Sequence, residues 1–301
     1  MFGFMRNIYY LIGLMVGLAI LVVVQMPAAH ARMVVCDIGQ GDAILITKGS
    51  IQVLVDGGPS SAKILSCLEK YVPFYDRTIE LVVLTNTDFD HMNGLSAVID
   101  HYHILQLVSS DGVHESDALN KFVDKLAQYR LKVVPVERGD TILVGAEDSL
   151  KGLRFDVLWP VDTLGEYVAV YDATMDSTKR ESVLGASDKR GDLNERSVVL
   201  LLQESNKKIL LTGDMGDESE ELILDLGQLP DIDILKVGHH GSRYASTNEF
   251  LLQLKPEISI ISSGAGNSYG HPTAETLDRL SKVGSIIKRT DLDGDVLIDL
   301  R

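Results

Sequence analysis

The segment of residues 86–91 carries the densest group of side chains in this chain that can do chemistry. Asp88, Asp90 and His91 lie close together directly after the apolar run from Ile79 to Leu84, which predicts a buried strand. Carboxylate oxygens combined with an imidazole suit a divalent cation. For this segment taken alone, a chance cluster of acids in a surface loop is the alternative.

Three further polar loops each follow an apolar, strand-like run. One contains a single aspartate, one contains two adjacent histidines, and one lies between a strand and a helix. Two adjacent imidazoles are rarely both core residues, because burying them requires partners for four ring nitrogens. Loops at strand ends commonly carry function, so loops of similar chemistry at several strand ends indicate one site. The candidate residues in these loops are Asp214, His239, His240, Ser242, Asn267 and His271.

Short strands and helices that alternate along the chain must position these loops. Runs rich in β-branched residues begin at Met33 and alternate with helical patterns such as that from Ile64 to Tyr71. Both halves of the chain share this style, which predicts an α/β fold of two sheets packed face to face, with helices outside, as one domain over residues 32–301. The polar stretch from Asp162 to Glu195 lacks apolar periodicity, and we expect a long surface loop there that forms a flap on the substrate side.

The composition of the chain limits what it binds. The 301 residues are 45% hydrophobic and carry a formal net charge of −15. Such an acidic balance argues against broad, sequence-independent affinity for nucleic acid, although a bound divalent cation can reverse the local field and admit a phosphodiester. Cys36 and Cys67 form no CxxC pair and lie in apolar stretches, which favours two small buried hydrophobic residues. A single bridge between them is the alternative.

Residues 1–31 have the pattern of a targeting segment. Arg6 precedes the apolar run from Ile8 to Val24, and Ala29-His30-Ala31 has the small residues of a cleavage site. A cleaved export signal and an uncleaved N-terminal membrane anchor both fit the length of this run. In either case we expect residues 32–301 to be exported and extracytoplasmic, as a secreted or a membrane-anchored domain.

Six motifs in this order resemble the metallo-β-lactamase-type domain of the ComEC competence proteins. They are Val35-Cys36-Asp37-Ile38-Gly39-Gln40-Gly41-Asp42-Ala43, Val55-Asp56-Gly57-Gly58, Asp88-Phe89-Asp90-His91, Gly213-Asp214, His239-His240-Gly241-Ser242 and Tyr269-Gly270-His271-Pro272. The resemblance covers nearly all of the chain from Met33 to Arg301. It implies an αββα four-layer sandwich of the metallo-β-lactamase fold, with metal at one sheet edge and phosphodiester hydrolysis in nucleic acid as the chemistry.

The resemblance also implies a role for each matching residue. Asp56 would brace the site. Asp90, His91 and His239 would hold one metal ion, and Asp214 would bridge toward a second position. The implied metal ligands are Asp88, Asp90, His91, Asp214 and His239, the implied catalytic residues are Asp90, His240 and His271, and the residues expected at the substrate are Ser242 and Asn267. In these roles Asp90 also orients the nucleophile, and the two histidines protonate the leaving group or hold its charge.

Asn86 departs from the family pattern, which has histidine at this position. An amide oxygen is a poor replacement for an imidazole, so we expect one firm site for a divalent metal, zinc or manganese, and a weakened second site. Three functions remain open: an extracytoplasmic metal-dependent phosphodiesterase or nuclease, a hydrolase of another ester-type substrate, and a non-catalytic module that binds metal or an anion. The expected partners are a phosphodiester or nucleic-acid substrate and, through an uncleaved N-terminal segment, the membrane; no protein partner can be inferred.

Overall fold

Two seven-stranded sheets form the centre of the molecule. The computed structural model describes residues 7, 9–17, 26–110, 116–145, 152–161, 193–227 and 229–301. The first sheet contains, in spatial order, β14 (Val296–Asp299), β1 (Arg32–Val35), β2 (Ile44–Lys48), β3 (Ile51–Val55), β4 (Thr78–Leu84), β5 (His103–Ser109) and β6 (Val133–Pro135). The second contains β13 (Ile286–Arg289), β12 (Ile258–Ile261), β11 (Ile234–Lys236), β10 (Lys207–Leu211), β9 (Val199–Glu204), β8 (Leu153–Trp159) and β7 (Thr141–Val144).

The two sheets share one pattern of strand directions. Pairing is antiparallel from β14 through β3 and parallel from β3 through β6. In the second sheet it is antiparallel from β7 through β10 and parallel from β10 through β13. Parallel strands end at the same edge, so the loops after β3 and β4 and those after β10, β11 and β12 emerge together. These loops carry the candidate residues.

Helices cover the outer face of each sheet. They are α1 (Ser61–Tyr71), α2 (Phe89–Met92), α3 (Leu95–His101), α4 (Asp117–Tyr129), α5 (Asp217–Asp225), α6 (Asn248–Leu254), α7 (Ala274–Lys282) and α8 (Thr290–Asp293). Alternate residues of the strands fill the core between the sheets, for example Val53 and Val55 against Leu200 and Leu202. A second apolar cluster joins the first sheet to its helices, and a third joins the second sheet to its helices. These layers confirm the predicted αββα four-layer sandwich.

Cys36 and Cys67 are joined in a disulfide, with their Cα atoms 6.1 Å apart. The prediction that they are two unpaired hydrophobic residues was wrong, although both are buried. Cys36 follows β1 and Cys67 lies on the buried face of α1, so the rotation of that helix over the sheet brings the two sulfurs together. The bridge fixes the start of the loop from Asp37 to Asp42, which leads into the candidate site.

Two predicted segments lie mainly outside the described residues. Of the polar stretch predicted as a loop, residues 162–192 are not described, and Leu193–Arg196 at its end forms a 3-10 turn. Residues 9–17 of the N-terminal apolar run are helical. Within the described part of the chain, every helix is too short or too polar to cross a bilayer.

Candidate metal centre

Loops from both sheets bring four potential metal ligands together. Asp90 and His91 lie in α2, just after β4, while Asp214 follows β10 and His240 follows β11. One nitrogen or carboxylate oxygen from each of the four lies within 4.8 Å of the others. His91 Nε2 is 3.1 Å from Asp214 Oδ2, and His240 Nε2 is 3.3 Å from both Asp90 Oδ2 and Asp214 Oδ1.

The donor atoms of this group fit a divalent metal. His91 Nε2, His240 Nε2 and Asp214 Oδ1 are buried, and none of them has a hydrogen-bond partner of suitable geometry. Buried polar atoms are nearly always hydrogen-bonded, so three unpaired atoms that converge on one point call for another partner. Imidazole nitrogens with carboxylate oxygens are the donor set of zinc and manganese sites.

Asp56 fixes the orientation of His91. The Asp56 backbone has a positive φ of 61° at the end of β3. Its carboxylate accepts hydrogen bonds from the Thr85 amide at 2.7 Å and the Thr85 hydroxyl at 2.6 Å, and Oδ2 lies 2.9 Å from His91 Nδ1. With Nδ1 donating to Asp56, the lone pair of Nε2 faces the centre of the cluster. The structure thus gives Asp56 the bracing position that the resemblance implies.

Asp42 and the carbonyl oxygen of Ser262 both lie beside Nδ1 of His240. Asp42 Oδ1 lies 3.3 Å from His240 Nδ1, which is also 3.0 Å from the carbonyl oxygen of Ser262. Asp42 Oδ2 accepts a hydrogen bond of 2.6 Å from Lys236 Nζ, and both side chains are almost fully buried. Gly41 lets this loop approach closely, because a Cβ atom there would lie 2.1 Å from the carbonyl oxygen of Asp90.

The charges of the cluster favour a cation. Four carboxylates (Asp42, Asp56, Asp90 and Asp214) surround the two imidazoles, whereas Lys236 supplies one positive charge. Burial alone would lower the pKa of His91 and His240, but Asp214 and the neighbouring carboxylates raise the pKa of both well above its usual value. Burial would raise the pKa of Asp214, and the two histidines hold that pKa well below its usual range. A divalent ion would supply the positive charge that protons on these histidines otherwise provide.

The paired histidines occupy different places from those predicted. His239 and His240 both have positive φ, 45° and 53°, which is uncommon for residues with a side chain. This sharp turn directs His240 into the buried cluster and leaves His239 half-buried. The resemblance implied that His239 holds the metal and that His240 is catalytic; in the structure His240 is one of the four grouped residues and His239 is not. The sign of φ decides between the two, and the sequence does not reveal it.

Asn86 ties two loops of the site together. It is 2% exposed, its side-chain oxygen accepts a hydrogen bond from the Asp88 amide at 2.9 Å, and its Nδ2 donates to Ser197 Oγ at 3.3 Å. Ser197 Oγ also accepts from the Asp214 amide at 3.2 Å. Both polar ends of the Asn86 amide are therefore occupied by structural bonds. Asp88 is partly buried and lies outside the group of Asp90, His91, Asp214 and His240.

The remaining predicted residues lie in the loops that follow β11 and β12. Ser242 is buried, and its hydroxyl accepts from the Tyr244 amide at 3.3 Å. Asn267 holds its own loop, since its amide group bonds to backbone atoms of Gly264, Tyr269 and His271. The His271 ring lies 5.6 Å from that of His239. Substrate contact by Ser242 and Asn267 stays a prediction.

His271 is neutral near pH 7. Burial, reinforced by the neighbouring His239 and His240, lowers the pKa of the His271 ring to about 4. The ring therefore has one N–H to donate and one nitrogen to accept, and it does not carry the charge of an acid. The expected role of His271 narrows from protonating a leaving group to hydrogen-bonding it.

Two supporting residues were missed in the sequence. Asp42 lies in the turn Gly39-Gln40-Gly41-Asp42, where an aspartate is an ordinary turn residue. Lys236 offered a clearer signal, because it interrupts an apolar run that predicts a buried strand, and a buried lysine needs a carboxylate partner. The carboxylate that Lys236 contacts depends on how the two sheets pack, because Lys236 belongs to the second sheet and Asp42 lies in a loop of the first.

Comparisons with known proteins identify a family for this chain. A family model of the metallo-beta-lactamase superfamily matches residues 36–265. ComE operon protein 3 of Bacillus subtilis is 28% identical over 279 residues, which cover 86% of this chain and 32% of that protein. Recombination protein 2 of Haemophilus influenzae is 27% identical over 268 residues, which cover 87% of this chain and 28% of that protein. The chain thus spans about a third of the length of these relatives.

The fold also matches a solved structure. The metallo-beta-lactamase fold protein YhfI from Bacillus subtilis aligns with a TM-score of 0.54 at 10% identity, over 89% of this chain and 100% of that one. At this identity the likeness shows the fold alone. The family match over most of the chain and the relatives named above agree with the motif resemblance to ComEC-type domains. This chain belongs to the metallo-β-lactamase superfamily.

Proposed function

We propose that this chain is an extracytoplasmic hydrolase that uses one divalent metal ion to cleave phosphodiester bonds. The observation that carries the proposal is the convergence of two buried, unpaired imidazole nitrogens with the carboxylates of Asp90 and Asp214. A divalent cation held by Asp90, His91, Asp214 and His240 would supply Lewis-acid chemistry, polarising a phosphoryl oxygen and lowering the pKa of the attacking water.

The side chains around the metal position orient the water, hold the histidine ligands and bond to the substrate. The Asp90 side chain is 30% exposed, so its carboxylate can reach a water molecule on the open side of the cluster and orient it. Asp56 and the carbonyl oxygen of Ser262 hold the two histidine ligands in one tautomer each. In this proposal His271 donates a hydrogen bond to an oxygen of the substrate or of the leaving group.

A phosphodiester is favoured over other esters by the relatives. One relative is named for recombination, and the motif set resembles that of competence proteins. The acidic surface does not oppose this, because the local cation attracts the phosphate. The Cys36–Cys67 disulfide supports an extracytoplasmic location, since disulfides persist mainly in oxidising compartments.

The proposal is tested by metal analysis and turnover on the full chain. We expect one ion per chain after loading with manganese or zinc, and hydrolysis of bis-p-nitrophenyl phosphate and of oligonucleotides. Asp214→Ala should abolish both properties, while His101→Ala, a change in an exposed histidine, should preserve both. Metal binding without turnover of any phosphodiester would contradict the proposal. Turnover confined to carboxylic esters would favour a hydrolase of another ester-type substrate.

The number of bound ions tests the part played by Asn86. Because both ends of its amide are engaged, we expect the wild type to bind one ion and Asn86→His to bind more than one, at some cost in stability. Inductively coupled plasma mass spectrometry of both proteins measures the stoichiometry. Two ions in the wild type would refute the one-metal site.

A further inference from the structure

A row of rings leads from the metal centre to the surface of the protein. The ring centroids of His240 and His239 are 6.2 Å apart, those of His239 and His271 are 5.6 Å apart, and those of His271 and Tyr269 are 6.0 Å apart. Exposure rises along this row, from 1% at His240 to 70% at Tyr269. Tyr269 and His271 are nearly parallel, with an angle of 28° between their planes. They present a flat aromatic surface beside the site.

The position of the Tyr269 ring is not explained by the packing of its loop. Asn267 holds this loop through hydrogen bonds to the backbone of Gly264, Tyr269 and His271. The Tyr269 side chain takes part in none of these bonds and is mostly in solvent. A single exposed tyrosine is ordinary on a protein surface. One that extends a row of rings from a metal centre, in a loop that does not need it, calls for another explanation.

His271 provides a second, independent observation. Its Nδ1 atom is shielded from solvent and has no hydrogen-bond partner. A shielded polar atom without a partner is costly, so a small shift of the His271 ring that lets this nitrogen bond to a ligand would be favourable. The unpaired atom belongs to the ring that stacks on Tyr269. A ligand at this place therefore combines a polar oxygen with a planar aromatic face.

We propose that Tyr269 and His271 form a stacking subsite for an unpaired nucleobase. The inference rests on the proposed function, because the phosphate next to that base would lie at the metal centre. A nucleotide has the required combination of planar base and phosphate or sugar oxygen, and aromatic residues beside phosphate-binding sites commonly stack bases of single strands. In a duplex the bases are already stacked and paired, so this subsite selects single strands, frayed ends or short nucleotide diesters.

Stacking also suits the charge of this chain. With a formal net charge of −15, the protein gains little from the counterion release that drives non-specific binding to a polyanion. Contact with the face of a base does not depend on charge, and every base offers such a face. Affinity should therefore depend more on the presence of bases, and less on salt, than is usual for a nuclease.

Binding is tested first without turnover, on the zinc-loaded full chain and with phosphorothioate strands, which resist hydrolysis. The wild type contains one tryptophan, Trp159, which is buried. Tyr269→Trp introduces an exposed indole whose fluorescence a stacked base should quench. We expect a single-stranded oligonucleotide to quench this variant, and a strand of the same length made of abasic residues to leave it unchanged. Equal quenching by both strands, or none by either, would overturn the subsite.

Turnover supplies the second measurement, with the manganese-loaded full chain and ordinary phosphodiester versions of the two strands. Tyr269→Ala should raise KM for the base-bearing strand by roughly 5- to 150-fold, the range expected when one stacking contact is lost, and change KM for the abasic strand less than two-fold. Tyr269→Trp should restore the low KM. The matched control is Tyr75→Ala, which removes an exposed tyrosine from the loop before β4, at the opposite edge of the sheet.

The two proposals fail in different ways. Hydrolysis of both strands with equal KM, unaffected by Tyr269→Ala, would refute the stacking subsite and leave the phosphodiesterase standing. Base-dependent quenching without hydrolysis of any phosphodiester would refute the enzyme and leave a nucleotide-binding site.

Discussion

The buried pair of Lys236 and Asp42 should contribute both to folding and to metal binding. Lys236 is fully buried on β11, and its Nζ donates to Asp42 at 2.6 Å and to the carbonyl oxygen of Val237 at 2.9 Å. Lys236→Met keeps the length of the side chain and removes its charge, so the cavity it leaves is small. What changes is that Asp42 becomes a buried carboxylate without its cation.

The expected loss of stability follows from the surroundings of Asp42. Removing one partner of a buried ion pair typically costs about 3–5 kcal/mol. His240 remains 3.3 Å from Asp42, and it helps Lys236 to hold the Asp42 pKa below its usual value against the effect of burial. We therefore expect a value near the lower end, about 3 kcal/mol. Asp42→Asn in the same chain removes the stranded charge, so the double variant should be more stable than Lys236→Met alone.

Urea unfolding followed by Trp159 fluorescence, in EDTA at pH 7, measures this difference. Lys48→Met is the matched control, because Lys48 forms another buried pair, with Glu204 at 2.9 Å, outside the four-residue metal group. Both lysine variants should lose stability, but Lys236→Met alone should also weaken metal binding, by roughly 10- to 100-fold as for other outer-shell partners. A loss below about 1 kcal/mol in Lys236→Met, or equal metal affinity in the two variants, would refute this reasoning.

Three further predictions concern other parts of the chain. Burial raises the pKa of Glu220 to about 7, above its usual 4.5, so the unfolded chain ionises first and stability falls as pH rises between these values. Glu220→Gln should therefore gain about 3 kcal/mol relative to wild type between pH 4.5 and 7.5, measured by urea unfolding at each pH; a constant difference would contradict the shift. His240→Ala should weaken zinc binding far more than His239→Ala in calorimetric titration, and the reverse order would restore the ligand set first expected from the sequence. Cys67→Ser, which opens the 31-residue separation to Cys36, should cost about 3–4 kcal/mol in unfolding without reductant, and a reductant should then have little further effect on the variant.

The fold could be predicted because the sequence marks its layers locally. Apolar runs such as Ile79 to Leu84 form strands of the predicted type, and the polar clusters after them lie at one edge because parallel strands end there. The same rule predicted that Asp90, His91 and Asp214 lie together. Adding the order of the motifs identified the family.

Details that depend on three-dimensional packing could not be predicted. The choice between His239 and His240 depends on two positive φ angles in one turn. The disulfide depends on which face of α1 meets β1, and periodicity shows only that Cys67 lies on the buried face. The role of Asp42 depends on a contact between residues almost two hundred positions apart, on loops or strands of different sheets.

If the chain binds one metal ion as proposed, Asn86 helps to hold the ligands of that ion in place. A histidine at this position would offer its nitrogen to an ion, whereas the amide of Asn86 bonds to the Asp88 backbone at one end and to Ser197 at the other. Ser197 Oγ in turn accepts a hydrogen bond from the Asp214 amide. Through Ser197, Asn86 therefore connects the loop after β4 with the loop after β10. These two loops carry Asp90, His91 and Asp214. The bonds hold three ligands at fixed spacing before any ion arrives, and such preorganisation lowers the cost of binding a single metal ion.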